Sequence, residues 1–173
     1  DERRKTPENI ARIQLGIDVY KKIAAKKLGK NVEQLTIEDL KNEILPLLVL
    51  NRELEQLPAM RKVADELHFP VEKLQEMPCG KIGVCNTKTQ FEATLKDPKL
   101  SKLKHFTLIT TAYHVPRVAR TASVNLSEDI DFDVIGVPLK DFKFDVFNRV
   151  RGEVKRIELY SQKGDIAKYH RVK

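Results

Sequence analysis

The feature that most constrains the fold is an apolar strand that runs directly into a polar turn and a helix, over residues 106–120. Phe106, Leu108 and Ile109 stand beside β-favouring threonines, and this composition predicts a strand. Pro116 is typical of the first position of a helix, so we expect His114 or Val115 to be the N-cap. Open α/β sheets bind ligands where strands end and helices begin, so this junction is where we first expect a site.

Polar residues of the junction predict a site for an anion. A helix N-terminus presents unpaired backbone N–H groups and a partial positive charge. Arg117 and Arg120 are three residues apart and share one face of the predicted helix. With the hydroxyls of Thr110 and Thr111 and the imidazole of His114, they could surround a phosphate or carboxylate. The alternative is a solvated arginine pair beside a surface histidine.

The same residues carry a resemblance to a known family. Thr110-Thr-Ala-Tyr-His-Val-Pro-Arg117 resembles the TSxYHxxRA signature of the YdcF-like family, which includes SanA and ElyC. Three further blocks resemble that family in the same order along the chain: residues 9–15 its first helix, 83–91 its NTxEN block and 152–164 its closing helix. The resemblance therefore spans nearly the whole sequence.

This resemblance implies a bacterial Rossmann-like domain that binds a small phosphorylated or nucleotide-like ligand. S-adenosylmethionine or another nucleotide-like compound is the cofactor it implies, and a hydrolase or transferase is the class of enzyme, if the chain is one. His114 is the candidate catalytic acid or base, since imidazole titrates near neutral pH. The candidate ligand-binding residues are Thr110, Thr111, Tyr113, Arg117, Asn86, Thr87, Arg12, Asn51 and Glu153. Glu153 has an alternative as a partner of Lys155, Arg156 or Arg149, and we predict no metal site.

Two departures from the family concern the opposite side of the expected pocket. Family members open with an apolar strand and a Gly-rich loop, whereas this chain opens with the approach to a helix. We therefore expect a single domain over residues 1–173 that lacks its first strand, either because the chain is truncated at the N-terminus or because this member has lost that half of the site. Asn51 and Arg52 follow the next apolar run, at positions where the family has glycines. Because glycine lets the backbone come close to a ligand, we expect its replacement to remove that contact.

Helices and strands alternate along the chain. Thr6 and Pro7 predict the start of a first helix that ends near Gly29. Later signals predict a short helix capped by Thr36, a strand over residues 47–50, a helix from Pro58 to residue 69, a strand over residues 130–137 and a closing helix over residues 146–162. Residues 71–77 suit either a short helix or a strand, and Thr87 with Gln90 predicts a capping box at the start of another helix. The closing helix has an apolar stripe, typical of a face that packs on a core: Phe147, Val150, Val154, Ile157 and Tyr160.

Strands separated by helices predict parallel pairing through right-handed crossovers. The expected fold class is therefore α/β, a three-layer sandwich with a mostly parallel, Rossmann-like sheet. Ligand sites of such sheets lie beyond the carboxyl ends of the strands. This places Asn51, Asn86 or Thr87, and residues 110–117 on one rim.

Charge suggests a second kind of function. The net charge is +7, and both ends are basic: nine Lys/Arg against four Asp/Glu in residues 1–30, and eight against three in residues 149–173. The alternative is therefore a non-enzymatic interaction module that docks through its basic termini on an anionic partner or membrane surface. Aromatic residues are few and no nucleic-acid-binding motif is present, so nucleic acid is not the expected partner.

The apolar runs and the cysteines bear on location. The longest apolar run, residues 44–50, is far too short to span a membrane, and we expect a cytoplasmic location with an upstream anchor left open. Cys79 and Cys85 lack the histidine or cysteine pairs of a zinc site, so we predict free thiols. A disulfide is the alternative for the pair, and a nucleophilic thiolate for Cys85.

Overall fold

The computed structural model describes residues 6–81, 85–138 and 146–167. The chain divides into two compact units, residues 1–84 and 85–173. Within the described residues each unit contains one two-stranded parallel sheet, formed by consecutive strands joined through a helix. The α/β class and the parallel pairing predicted from the sequence are thereby confirmed.

The first unit begins with its longest helix. Its elements are α1 (Pro7–Leu28), α2 (Ile37–Leu40), β1 (Leu48–Arg52), α3 (Leu57–Glu66) and β2 (Leu74–Pro78), with 3₁₀ turns at Val32–Gln34 and Val71–Lys73. β1 and β2 are parallel, with Leu48 opposite Leu74 and Arg52 opposite Pro78. The ambiguous segment of residues 71–77 contains both predicted structures, a 3₁₀ turn followed by a strand.

The core of the first unit lies between α1, β1 and α3. Its buried side chains include Ile13, Ile17, Tyr20, Leu50, Leu57, Val63 and Phe69. The Tyr20 hydroxyl donates to the Leu40 carbonyl at 2.9 Å, and the ring meets Phe69 edge-on with centroids 4.9 Å apart. Burial raises the pKa of Tyr20 to about 12. This tyrosine therefore joins α1 to α2 through a hydrogen bond made inside the core.

The second unit contains the strand-to-helix junction. Its elements are α4 (Thr87–Lys96), β3 (His105–Thr111), α5 (Val115–Asn125), β4 (Asp131–Val137) and α6 (Val146–Gln162), with 3₁₀ turns at Leu100–Lys102 and Ala112–His114. β3 and β4 run parallel from His105 opposite Asp131 to Thr111 opposite Val137. A core of Phe91, Ala122, Leu126 and Ile130 joins α4 and α5 to the region just before β4.

Local signals fix most element ends. Thr6 caps α1 through the backbone N–H of Asn9, and Gly29 ends it with a φ of +65°, a conformation that favours glycine. His114 is the N-cap residue of α5, one of the two predicted. The capping box predicted from Thr87 and Gln90 is wrong by one position, because Asn86 and Thr89 form it. Asn86 has the side chain that best satisfies an N-cap, and this moves the box.

The predicted inward face of α6 is wrong for three residues. Phe147, Val150 and Val154 are 73%, 40% and 60% exposed. Of the seventeen residues of α6, all of them described, Glu153 alone is buried. The helix therefore faces the rest of its unit through a carboxylate and not through its apolar stripe.

Each parallel strand pair lies in its own unit, so the single sheet of a three-layer sandwich and the single domain stay predictions. Among the residues that the structure describes, no helix has the length and apolar character needed to cross a membrane.

Gly136 allows β4 to approach the turn that follows β3. A Cβ at this position would lie 2.7 Å from the Ala112 Cα and 2.8 Å from the Val115 Cγ2. The first of these atoms is backbone and cannot rotate away. Any side chain at residue 136 must therefore displace the turn that carries His114.

We expect Gly136→Ala to lower the free energy of unfolding by about 1–3 kcal/mol, the usual cost of overpacking a close contact. Gly152→Ala in α6 is the matched control, because its nearest neighbour would be the flexible Arg156 Nη1 at 3.8 Å. Urea titration followed by circular dichroism measures both variants. Equal stability of Gly136→Ala and the control would contradict the close approach.

Candidate functional site

The junction between β3 and α5 buries most of its polar side chains. Thr110 and Thr111 are 6% and 0% exposed at the carboxyl end of β3, and Tyr113 is 8% exposed. The Tyr113 ring lies 4.2 Å from the His114 imidazole and packs beside it. His114 keeps a partly accessible side chain, 20% exposed. The threonines and the tyrosine therefore form the interior support of the turn, and the histidine faces outward from it.

Arg117 links three helices of the second unit. From the first turn of α5, its Nε donates to the Glu153 Oε2 on α6 at 2.7 Å. Its Nη1 donates to the Thr87 Oγ1, at the start of α4, at 2.6 Å. The side chain is only 13% exposed. Because the guanidinium is planar and bonds in two directions, it fixes the starts of α4 and α5 relative to α6.

Glu153 is the buried anion of this cluster. Its side chain is 2% exposed, its Oε2 also lies 2.8 Å from the His114 Nδ1, and its Oε1 accepts from the Arg156 Nη1 at 2.7 Å. Burial alone raises the pKa of this carboxyl, but the hydrogen bonds from His114 and Arg117 outweigh burial and lower the pKa to about 2. Glu153 is therefore ionised throughout the physiological range.

Positive charge exceeds negative charge in the cluster. Arg117 and Arg156 share the single carboxylate of Glu153, which leaves a net charge of +1, and the first turns of α4 and α5 add the partial positive charge of two helix N-termini. Nearby, Lys88 pairs with Asp165 at 2.9 Å. The arrangement as a whole would be stabilised by an added anion.

The structure brings together four of the predicted site residues, namely Thr87, His114, Arg117 and Glu153. Asn86 caps α4, where its side chain accepts from the Thr89 backbone N–H at 3.0 Å. Glu153 makes both of the contacts that were predicted as alternatives. It contacts His114 and Arg117 of the candidate site, and it pairs with Arg156 on its own helix.

Arg12 and Asn51 belong to the first unit. The Arg12 Nε donates to the carbonyl of Glu8 at 3.2 Å, within α1. Asn51 lies in β1 opposite Met77. Their contribution to a ligand site therefore stays a prediction.

A shallow pocket lies beside Arg117, with a cavity volume of about 40 Å³ that widens to about 310 Å³ when the open solvent at its mouth is included. Sequence reasoning missed several of the residues that line it. Its lining consists of Asn86, Thr87, Lys88, Arg117, Thr121, Tyr160, Asp165 and Ile166. Two of the missed residues have a sequence signal, since Lys88 lies in the NTxEN-like block and Tyr160 in the closing block of the family resemblance. His114 contacts Arg117 but does not line this pocket.

Cys79 and Cys85 are both disulfide-bonded, so the prediction of free thiols is wrong. A nucleophilic role for Cys85 requires a thiolate, which the disulfide removes. No group of three or more His, Cys, Asp or Glu side chains among the described residues is arranged to hold a metal ion.

Comparison of the chain with protein-family models, curated proteins and solved structures finds no match. The evidence for a function therefore lies in the cluster around Arg117.

The low pKa of Glu153 makes folding sensitive to acid. Above about pH 4.5, the ordinary value for this carboxyl, both the folded and the unfolded chain are ionised and the stabilisation is complete. As the pH falls toward about 2, only the unfolded chain takes up the proton, and about 3 kcal/mol of stability is lost. Glu153→Gln should therefore be strongly destabilised at pH 7 and should lose this part of the pH dependence.

Urea unfolding of the parent chain and Glu153→Gln at several pH values between 2 and 7 measures the effect. Glu158→Gln is the matched control, because Glu158 is an exposed glutamate of the same helix. We expect the control to follow the parent within about 0.5 kcal/mol at each pH. A constant difference between the parent and Glu153→Gln across the whole range would contradict the assignment.

Proposed function

We propose that the second unit binds a small phosphorylated or nucleotide-like ligand in the pocket beside Arg117, at the end of β3. The observation that carries this proposal is the position of Arg117. Its guanidinium extends from the first turn of α5 to Thr87, the first residue of α4. There its positive charge is repelled by the partial positive charges of the two helix N-termini. Glu153 offsets part of that repulsion, and a bound anion would offset the rest.

The pocket supports both parts of such a ligand. Arg117, Lys88 and the first turn of α4 are donors suited to a phosphate. Tyr160 and Ile166 supply an aromatic ring and an apolar side chain that can contact an organic group of the ligand. The Asp165 carboxylate can accept hydrogen bonds from hydroxyl groups of the ligand. This combination favours a sugar phosphate or a nucleotide over an anion without an organic part.

Catalysis belongs to the same proposal. His114 does not line the pocket, but its contact with Arg117 and its partial accessibility support a role in exchanging a proton with a ligand held near that arginine. A hydrolase or a transferase would use such a group. Membership of the YdcF-like family and an adenosyl cofactor such as S-adenosylmethionine are the finer parts of the proposal. They rest on the sequence resemblance, as does the three-layer Rossmann-like sandwich.

The cytoplasmic location predicted from the sequence stays a prediction, and the disulfide counts against it. Disulfides persist mainly in oxidising compartments. The bonded state of Cys79 and Cys85 therefore favours a compartment outside the reducing cytoplasm.

Ligand binding is tested by thermal unfolding and calorimetry with inorganic phosphate, adenosine 5′-monophosphate and S-adenosylmethionine. We expect phosphate and the nucleotide to stabilise the parent, with the nucleotide binding more tightly through its organic part. Arg117→Lys keeps a positive charge beside Glu153 but loses the planar guanidinium with its paired N–H donors. The affinity for the nucleotide should therefore fall by about tenfold or more.

Lys102→Ala is the control for general charge, because Lys102 is an exposed cation of the same unit outside the pocket. Its affinity for the nucleotide should match that of the parent. If none of the three compounds stabilises the parent, or if Arg117→Lys and the control bind equally, the proposed function fails.

A second candidate function is docking on an anionic membrane surface, and the exposed stripe of α6 favours it. Phe147, Val150 and Val154 lie on one side of this helix, with the exposed cations Arg151 and Lys155 at its border. An apolar face flanked by basic residues is typical of helices that lie in the membrane interface. The function would then reside in α6 and not in the pocket.

This candidate predicts binding to phosphatidylserine-containing vesicles that weakens as salt is added. The double variant Phe147→Ser and Val154→Ser should sediment with vesicles at least about tenfold less well, because it loses two buriable apolar side chains. Val124→Ser, which replaces a 49% exposed valine on α5, should behave as the parent. Absent binding of the parent, or equal binding of both variants, would eliminate the candidate.

A further inference from the structure

The burial of Glu153 removes an ionised carboxylate from water, although the same group links α6 to α5 through Arg117. Of the side chains of α6 it is the one removed from water, although the helix also carries Phe147, Val150 and Val154, which remain exposed. A buried charge loses its hydration, and an apolar side chain of similar size commonly stabilises such a position as well or better. A helix that buries its carboxylate and exposes its valines is typical of a site that needs the charge.

The geometry around His114 determines which ring nitrogen carries the proton. The Nδ1 lies 2.8 Å from the Glu153 Oε2 and 3.1 Å from the Arg117 Nη2. If Nδ1 were bare, it would accept from the Arg117 Nη2 at 3.1 Å, but its lone pair would face a carboxylate lone pair at the shorter distance of 2.8 Å, which is repulsive. If Nδ1 carries the proton, it donates to an ionised oxygen, the stronger kind of hydrogen bond.

We infer that Glu153 is a positioning residue, which holds His114 in the tautomer protonated at Nδ1 and leaves Nε2 as the nitrogen that can accept a proton. This inference rests on the proposed function, because it assigns Nε2 to a ligand. The Tyr113 ring, 4.2 Å from the imidazole, packs on the histidine and restricts its rotation.

The tautomer narrows the chemistry that the site can perform. A bare Nε2 accepts a hydrogen bond, and the donor that a hydrolase or transferase would ionise there is an O–H group: a hydroxyl of the ligand or a water molecule beside it. When that O–H ionises, its proton passes to Nε2 and the oxygen keeps the electron pair. The resulting imidazolium is stabilised by the carboxylate at Nδ1, and Glu153 itself stays ionised. The ligand class is therefore an anion that carries a hydroxyl group or reacts with water.

The ring-nitrogen signals of uniformly ¹⁵N-labelled protein measure the tautomer directly, at a pH where the imidazole is neutral. The missing signals in His114→Gln identify those of His114 among the four histidines of the chain. In the parent we expect Nδ1 to be protonated and Nε2 to be bare. In Glu153→Leu, the Arg117 Nη2 becomes the donor to Nδ1, and the proton should move to Nε2.

Glu158→Gln is the control, and its His114 signals should match those of the parent. A bare Nδ1 in the parent would overturn the inference, and this measurement needs no variant to fold. So would an unchanged tautomer in folded Glu153→Leu. Because no ligand is added, failure here differs from failure of the proposed function, which is read from phosphate and nucleotide binding alone.

Discussion

One buried carboxylate organises the second unit. Glu153 accepts hydrogen bonds from Arg117 and Arg156 and contacts the His114 Nδ1, and through Arg117 it also fixes Thr87 at the start of α4. Removing any one donor leaves the other groups with a charge that the low-dielectric interior cannot hydrate. The position of α6 relative to α4 and α5 therefore depends on a single ionised group, whereas α4 and α5 are also joined by the apolar core of Phe91, Ala122 and Leu126.

The sequence predicted the fold well where its signals are local. Thr6, Gly29 and Thr36 act on backbone groups within four residues of themselves, and the ends of α1 and α2 follow from them. Pro116 likewise restricts the start of α5. Strand identity needed only composition, since the apolar runs of β1, β3 and β4 suit few other structures. Pairing was predicted as parallel because each pair is joined through a helix, and the division into two units had no local signal.

The candidate site was predicted on two different grounds: its junction part from local sequence, and Glu153 through the family resemblance. The strand-to-helix junction and its His114 and Arg117 follow from a continuous stretch of sequence. Glu153 is separated from them by more than thirty residues, and its own neighbours on α6 offered Arg156 as a sufficient partner. The apolar periodicity of α6 also led to a wrong prediction of its buried face. Periodicity identifies an apolar face of a helix but does not show whether another element packs against it. Which face is buried was decided by an ion pair from another helix.

Gly136 is a distinguishing feature of this site that does not depend on the chemistry of a polar side chain. Its missing side chain is what lets β4 lie against the backbone of Ala112. Chains descended from a common ancestor could exchange Thr87 or Arg156 for other donors and keep a working cluster, but a larger residue at 136 would move the histidine itself. A glycine on the neighbouring strand, found together with a histidine, an arginine and a distant glutamate, would thus identify relatives too divergent for overall similarity to reveal.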